Sequence, residues 1–316
     1  MVFGHRIGWR MYLFFLIFIT NIIFTQELVN AENKQTNSYF SFRHYDSDKY
    51  YIAWMNPRSF VSRAYIKHNF DLKSALLYRN PQSEVAWNFN TITAVLEGRI
   101  ATEIYLFRTP KFAIGVGAAF EVPLIIRKKL ELTESKLNIL NLYSIIGQAA
   151  AFIDVYLPYE MKLRIIPVFH ESVHIADGYV GNSKDFSFIS YEFMALELYS
   201  KIKWATLYTG IEVTFHASAE SERLLRTRVH FGADLRYPIW KDTISIIMGL
   251  NIAALYDEKN TKFLETSGWH PAVNFGIGVE FDRVITSFKI SHQRGFESVT
   301  YQTMQISLGM EVTVLF

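Results

Sequence analysis

The chain has 316 residues, half of them hydrophobic and 16% aromatic, with 32 basic against 30 acidic side chains and a formal net charge of +2. So even a balance gives no pull toward nucleic acid or anionic lipid, and no basic tract supplies one, so nucleic-acid binding is disfavoured. The absence of cysteine excludes a disulfide scaffold and any thiolate metal site.

Residues 1–31 open with His5, Arg6 and Arg10, continue with an apolar run from Met11 to Thr25, and end on the small-residue stretch Val29-Asn30-Ala31. This is the layout of a secretory signal peptide, with cleavage expected near Ala31. The run is shorter than the roughly 20 residues of a spanning helix, and Thr20 and Asn21 interrupt it. No later stretch is continuously apolar, which argues against a helical membrane protein. Residues 32–57 are polar with scattered aromatics and are set down as a periplasmic N-terminal segment. Their composition suits either an arm outside the fold or a plug folded back into it.

From residue 58 to 316 the dominant feature is alternation with a period of two, which sends successive side chains to opposite faces of a strand. Arg226, Arg228, His230, Asp234 and Arg236 stand opposite Thr227, Val229, Phe231, Ala233 and Leu235. Asn274, Gly276, Gly278, Glu280 and Asp282 stand opposite Val273, Phe275, Ile277, Val279 and Phe281, and Glu97, Arg99 and Glu103 opposite Leu96, Ile100 and Ile104. Strands are predicted at 59–69, 93–107, 111–126, 141–157, 160–174, 187–201, 204–217, 226–238, 243–256, 270–282, 284–293 and 301–316. Many exceed the usual soluble strand and match a tilted bilayer crossing.

The connections alternate in length. Tight ones fall near Thr109-Pro110, Pro158-Tyr159, Lys203, Pro238 to Asp242 and Asp282-Arg283, with longer polar ones between them. Short periplasmic turns and long external loops mark a transmembrane, antiparallel, up-and-down β-barrel of about twelve strands in the outer membrane. Trp204, Tyr237 and Trp240 beside the tight turns fit an interfacial aromatic girdle. In the last strand Phe316, Val314, Val312, Met310 and Leu308 share one parity. This resembles the C-terminal aromatic signal by which the barrel-assembly machinery recognises such strands. Membrane lipid and lipopolysaccharide are the other expected partners.

An apolar lipid face leaves Arg99, Glu103, Glu121, Lys162, Arg164, Glu212, Arg228, Asp234, Arg236, Glu280 and Glu311 to line the lumen. Mixed charges there can border a narrow pore or pair across it and close it. Gly115 and Gly117 read as small lumen-facing positions, not a phosphate loop.

One constellation has chemical content. His170-Glu171-Ser172-Val173-His174 has His-Glu-x-x-His spacing, but that zinc motif needs a helix, and the preceding residues alternate as a strand containing Pro167. At about 3.3 Å per residue the two histidines stand about 13 Å apart, so no metal is expected, and no cofactor. On a strand, however, His170, Ser172 and His174 share a face near the external rim, where a histidine-activated serine would resemble outer-membrane phospholipases and lipid A deacylases. Parity opposes this reading: His170 and Ser172 continue the face of Lys162 and Arg164, and so are expected to look into the lumen. The alternative is a polar rim network that includes Asp177.

The same residues, His170, Ser172, His174, Ile175, Ala176 and Asp177, resemble a motif of the bacterial outer-membrane β-barrel family known as domain of unknown function 1207. Asn56-Pro57-Arg58 is similar to an Asp-Pro-Arg element of that family. The resemblance implies a barrel and an envelope location, and no activity. The functional expectation from sequence is therefore a non-enzymatic barrel with a charged lumen, either a narrow channel or a closed structural barrel. A lipid hydrolase using the His/Ser group is the alternative.

Overall fold

The computed structural model describes residues 41–42, 51–71, 93–126, 140–142, 144–175, 188–217, 227–240, 243–257, 268–294 and 304–315. Ala31, Asp177 and Phe316 lie outside them.

The strands are β1 (Ser41–Phe42), β2 (Ser62–Asp71), β3 (Thr93–Arg108), β4 (Phe112–Ile126), β5 (Leu140–Leu142), β6 (Ser144–Leu157) and β7 (Met161–Ile175). They continue with β8 (Phe188–Ile202), β9 (Ala205–Ala217), β10 (Thr227–Trp240), β11 (Ile244–Asp257), β12 (Gly268–Phe281), β13 (Val284–Arg294) and β14 (Met304–Val314). Leaving aside the two- and three-residue strands β1 and β5, each strand pairs antiparallel with its neighbours in sequence, and β14 pairs with β2 from Val314↔Ser62 to Gln305↔Asp71. The result is a closed, up-and-down barrel of twelve strands. Closure satisfies every backbone ladder without an edge, the condition for crossing a bilayer on strands.

Alternation along each strand sorts the side chains. On β10 the residues from Arg228 to Arg236 are buried at even positions and more exposed at odd ones. Val229, Phe231, Ile246, Met248, Ile277, Val279, Phe288 and Ile290 form part of an apolar outer belt. Trp204, Tyr237 and Trp240 face outward beside the tight turns, with the first two rings edge-to-face at 4.9 Å. The turns at Tyr159-Glu160, Lys203 and Asp282 take left-handed backbone at non-glycine residues, the twist that short hairpins require.

The strands fall within a few residues of their predicted positions, with β14 beginning at Met304 and β2 at Ser62. Backbone bonds from Asn56 N to Ala53 O (3.0 Å) and from Ser59 N to Asn56 O (3.1 Å) fold the chain into turns just before it. Of the segment set down as periplasmic, residues 51–57 run into the lumen, the second of the two placements its composition suits. Trp54 and Met55 are fully buried there. The wall is hollowed to receive them: a Cβ on Gly249 would lie 2.6 Å from Met55, one on Gly276 would lie 2.9 Å from Trp54, and one on Gly117 would lie 2.7 Å from the Phe60 ring.

Polar contacts fix the inserted segment. Trp54 N donates to Asp234 Oδ2 (2.7 Å), Asn56 Nδ2 to Glu197 Oε1 (3.1 Å), and Arg228 Nη2 to Asn56 Oδ1 (3.1 Å). Arg99 donates to Pro57 O (3.0 Å) and Ser59 O (3.1 Å). A buried segment must place its backbone groups in such bonds, because an unpaired one costs about 1–3 kcal/mol.

Candidate functional site on the outer face of β7, β8 and β9

Strand β7 begins with Lys162 and Arg164 in the lumen, as the sequence implies. Pro167 then interrupts the ladder, since it has no N–H to donate. Between Ile166 and Phe169 the register shifts: Ile166 pairs with Ala195 and Phe169 with Phe193, so Pro167 and Val168 together oppose Met194 alone. A bulge of this kind inserts one residue and inverts the parity beyond it. Phe169, Glu171 and Val173 are therefore the buried residues of the outer half of β7, while His170, Ser172 and His174 face the lipid side. This corrects the expectation that His170 and Ser172 look into the lumen, and with it the parity argument against a lipid-directed role.

A second bulge follows on β9. Phe193 pairs with Thr214 but Glu192 pairs with His216, leaving Phe215 as the extra residue and bringing His216 onto the outer face. His170 stands directly opposite Glu192 and Ser172 opposite Ser190 in the β7–β8 ladder. Three strands thus contribute to one polar group on an otherwise apolar wall. His170 Nδ1 lies 2.8 Å from Glu192 Oε1, and His216 Nδ1 contacts Glu192 Oε2. With Nδ1 held by a carboxylate, Nε2 is the ring nitrogen left to accept a proton.

Ser172 is two residues along the strand from His170, about 6.6 Å by backbone. Its hydroxyl faces the adjacent strand at Gly147, where an added Cβ would lie only 3.1 Å from Ser172 Oγ. The missing side chain keeps the approach to the hydroxyl open. A serine, a histidine two residues before it and a carboxylate on the imidazole's other nitrogen are the parts of a nucleophile–base–orienter set.

The His-Glu-x-x-His residues lie on a strand, with Glu171 on the opposite face from the two histidines. Among the described residues no group of three or more acidic, histidine or cysteine side chains is arranged to hold a metal ion.

The eleven charges assigned to the lumen, Arg99, Glu103, Glu121, Lys162, Arg164, Glu212, Arg228, Asp234, Arg236, Glu280 and Glu311, are all buried there. Arg164 spans Glu103 (2.7 Å) and Asp154 (2.7 Å) with both edges of its guanidinium. Arg228 pairs with Glu212 and Arg236 with Glu280, Arg99 lies 3.4 Å from Glu121, and Lys289 donates to Glu311 at 2.9 Å. None of them joins the outer-face group. Sequence reasoning placed neither Glu192 nor His216 in the group. Glu192 shares the parity of Met194, Leu196 and Leu198, and a carboxylate at a lipid-facing position was the signal available. His216 had none, because its face depends on the bulge at Phe215.

The sequence matches no protein-family model and no curated protein, so the comparison rests on structure. The chain is similar to outer membrane phospholipase A from Escherichia coli, with a TM-score of 0.51, 11% identity, and coverage of 83% of this chain and 96% of that one. It is also similar to the Salmonella typhi outer membrane phospholipase dimer with bound calcium, with a TM-score of 0.52, 12% identity, and coverage of 82% and 93%. An outer membrane channel from Pseudomonas putida F1 is more distant, at a TM-score of 0.45 and 6% identity over 89% of this chain and 99% of that one. At these identities the likeness is one of fold: the chain is a β-barrel of the outer-membrane type.

Proposed function

We propose that this protein is an outer-membrane acyl-ester hydrolase acting on envelope lipid, with Ser172 as nucleophile, His170 as general base and Glu192 as the group that orients His170. The observation that carries this reading is the placement of His170, Ser172 and Glu192 in cross-strand register on the lipid-facing side. Polar side chains on that face are costly, and a carboxylate-held imidazole beside a hydroxyl has a chemical use there. The fold likeness to outer membrane phospholipases supports the same direction. A channel role is less well supported, because residues 51–61 and the ion pairs around them occupy the lumen.

In the proposed reaction Ser172 Oγ passes its proton to His170 Nε2 and attacks the acyl carbonyl carbon. The ester C–O bond breaks, and His170 returns the proton to the departing alcohol of the lysolipid. Water, deprotonated by His170, then attacks the acyl-serine carbonyl; the bond to Ser172 Oγ breaks, His170 returns the proton to that oxygen, and the fatty acid leaves. Glu192 keeps Nδ1–H engaged and stabilises the imidazolium formed in each half. Export with cleavage near Ala31, and assembly through a C-terminal aromatic signal at Phe316, fit this setting, with phospholipid or lipopolysaccharide as the acyl donor.

The test is fatty-acid release from phospholipid and from lipopolysaccharide by the purified, detergent-folded protein. Wild type is expected to release fatty acid and Ser172→Ala to release none, both migrating as heat-modifiable barrels. Equal release by both, or none by wild type, rejects the hydrolase.

A further inference from the structure

The inserted segment meets the wall directly behind the outer-face group. Alternation places Glu171 between His170 and Ser172 but on the luminal side, and Tyr191 likewise beside Glu192. The register that pairs His170 with Glu192 also pairs Glu171 with Tyr191. Arg58 reaches both inner residues: Nη1 bonds Glu171, Nη2 donates to Tyr191 Oη at 2.9 Å, and the Tyr191 hydroxyl donates to Glu171. Nε of Arg58 lies 3.5 Å from Glu212 on β9. One guanidinium therefore touches all three strands that supply the outer group.

Arg58 also covers the two bulges. Its guanidinium lies over the rings of Phe193 (5.0 Å) and Phe169 (5.6 Å), the residues at which the interrupted ladders resume, and these rings stack on each other at 4.4 Å. Gln148 of β6 adds a donor to Glu171 at 2.5 Å and is itself held by Arg99 at 2.7 Å. Bulged ladders have lost local backbone bonds, so their geometry depends on side chains packed against them. Removing the cation would leave Glu171 and Glu212 buried without it, and such carboxylates draw in water and move apart.

We propose that Arg58 is a positioning residue for the outer-face site: from inside the barrel it fixes the separation of β7, β8 and β9 at their bulges, and so the alignment of Ser172, His170 and Glu192 across the wall. The inference rests on the hydrolase reading above. It makes residues 56–60 part of the active unit and not merely a stopper.

The experiment uses the full chain in detergent micelles and measures fatty-acid release from a short-chain phospholipid as kcat and KM separately. Arg58→Ala is expected to lower kcat roughly tenfold to hundredfold, the cost of misplacing reacting groups by about 1 Å. KM should stay within about twofold, since the lipid-facing binding surface is untouched. Arg58→Lys should recover part of the rate, restoring the charge without the planar fork. Lys289→Met, which breaks a luminal ion pair on the opposite wall, is the control expected to keep the wild-type kcat. Wild-type kcat in Arg58→Ala, a change confined to KM, or an equal fall in Lys289→Met would overturn the proposal. Should Arg58→Ala not fold, Arg58→Lys and Glu171→Gln carry the test, and wild-type kcat in both overturns it. Unchanged release by Ser172→Ala is a different result: it removes the hydrolase itself, and the positioning role with it.

Discussion

The wall formed by β12 and β13 and the wall formed by β7 and β8 stand on opposite sides of the same barrel and are built differently. From Val273↔His292 to Phe281↔Val284 the β12–β13 ladder is unbroken, and its outer face carries Val273, Phe275, Ile277, Val279, Phe288 and Ile290. The β7–β8 ladder is broken after Ile166, a second break follows between β8 and β9, and the outer face beyond them carries His170, Ser172, His174, Glu192 and His216. The first wall is what a lipid solvent asks of a strand pair. The second gives up ladder bonds and apolar contact to bring five polar side chains to the lipid side, a departure that local structure alone does not require. Their luminal sides differ as well: Lys289 on the plain wall pairs with Glu311 of the adjoining β14, whereas Glu171 and Tyr191 on the bulged wall are bound by a residue from the inserted segment.

The sharpest way to break this contrast is to remove the base. His170→Ala is expected to lower kcat for fatty-acid release about 10³-fold, in the range for losing a general base from a coupled set, with the barrel still folded. A fall of less than about tenfold would mean that the outer-face histidine is not part of the chemistry. Glu192→Ala should cost less, about 10²-fold in kcat, because His170 keeps its place on the strand but loses the partner that fixes its orientation. Equal activity would leave Glu192 as a structural link to His216 alone. The smallest effect on rate belongs to the plain wall. Lys289→Met should leave kcat unchanged yet destabilise the barrel by on the order of 3 kcal/mol, since Glu311 is then a buried carboxylate that has lost its nearest cation. Denaturant-induced unfolding in lipid vesicles measures that cost, and an unchanged midpoint would mean that the pair contributes nothing.

Much of the fold was legible because a bilayer enforces period-two alternation over long stretches, and because the tight turns at Pro158, Lys203 and Asp282 punctuate it. The lumen charges were readable for the same reason. The faces of His170 and Ser172 were not, because parity counting assumes one residue per position. Pro167 was visible as an interruption, but whether a proline kinks, ends or bulges a strand depends on its neighbours: here Phe169 and Phe193 stack inside the barrel and draw the register one residue forward. The inserted segment was equally hidden. Asn56-Pro57-Arg58 shows no alternation of its own, and the glycines that make room for it, Gly117, Gly249 and Gly276, sit in three different strands.

The central claim, that the bulged wall presents an activated serine to lipid, is tested most directly by covalent capture. The folded wild-type protein, treated with a fluorophosphonate ester that reacts only with activated serines, is expected to take up one equivalent on Ser172, located by mass spectrometry of the digested chain. His170→Ala should remain unlabelled under the same conditions, and Lys289→Met should label like wild type. Label on another serine, or none on wild type under conditions that label a known serine esterase, would contradict the account.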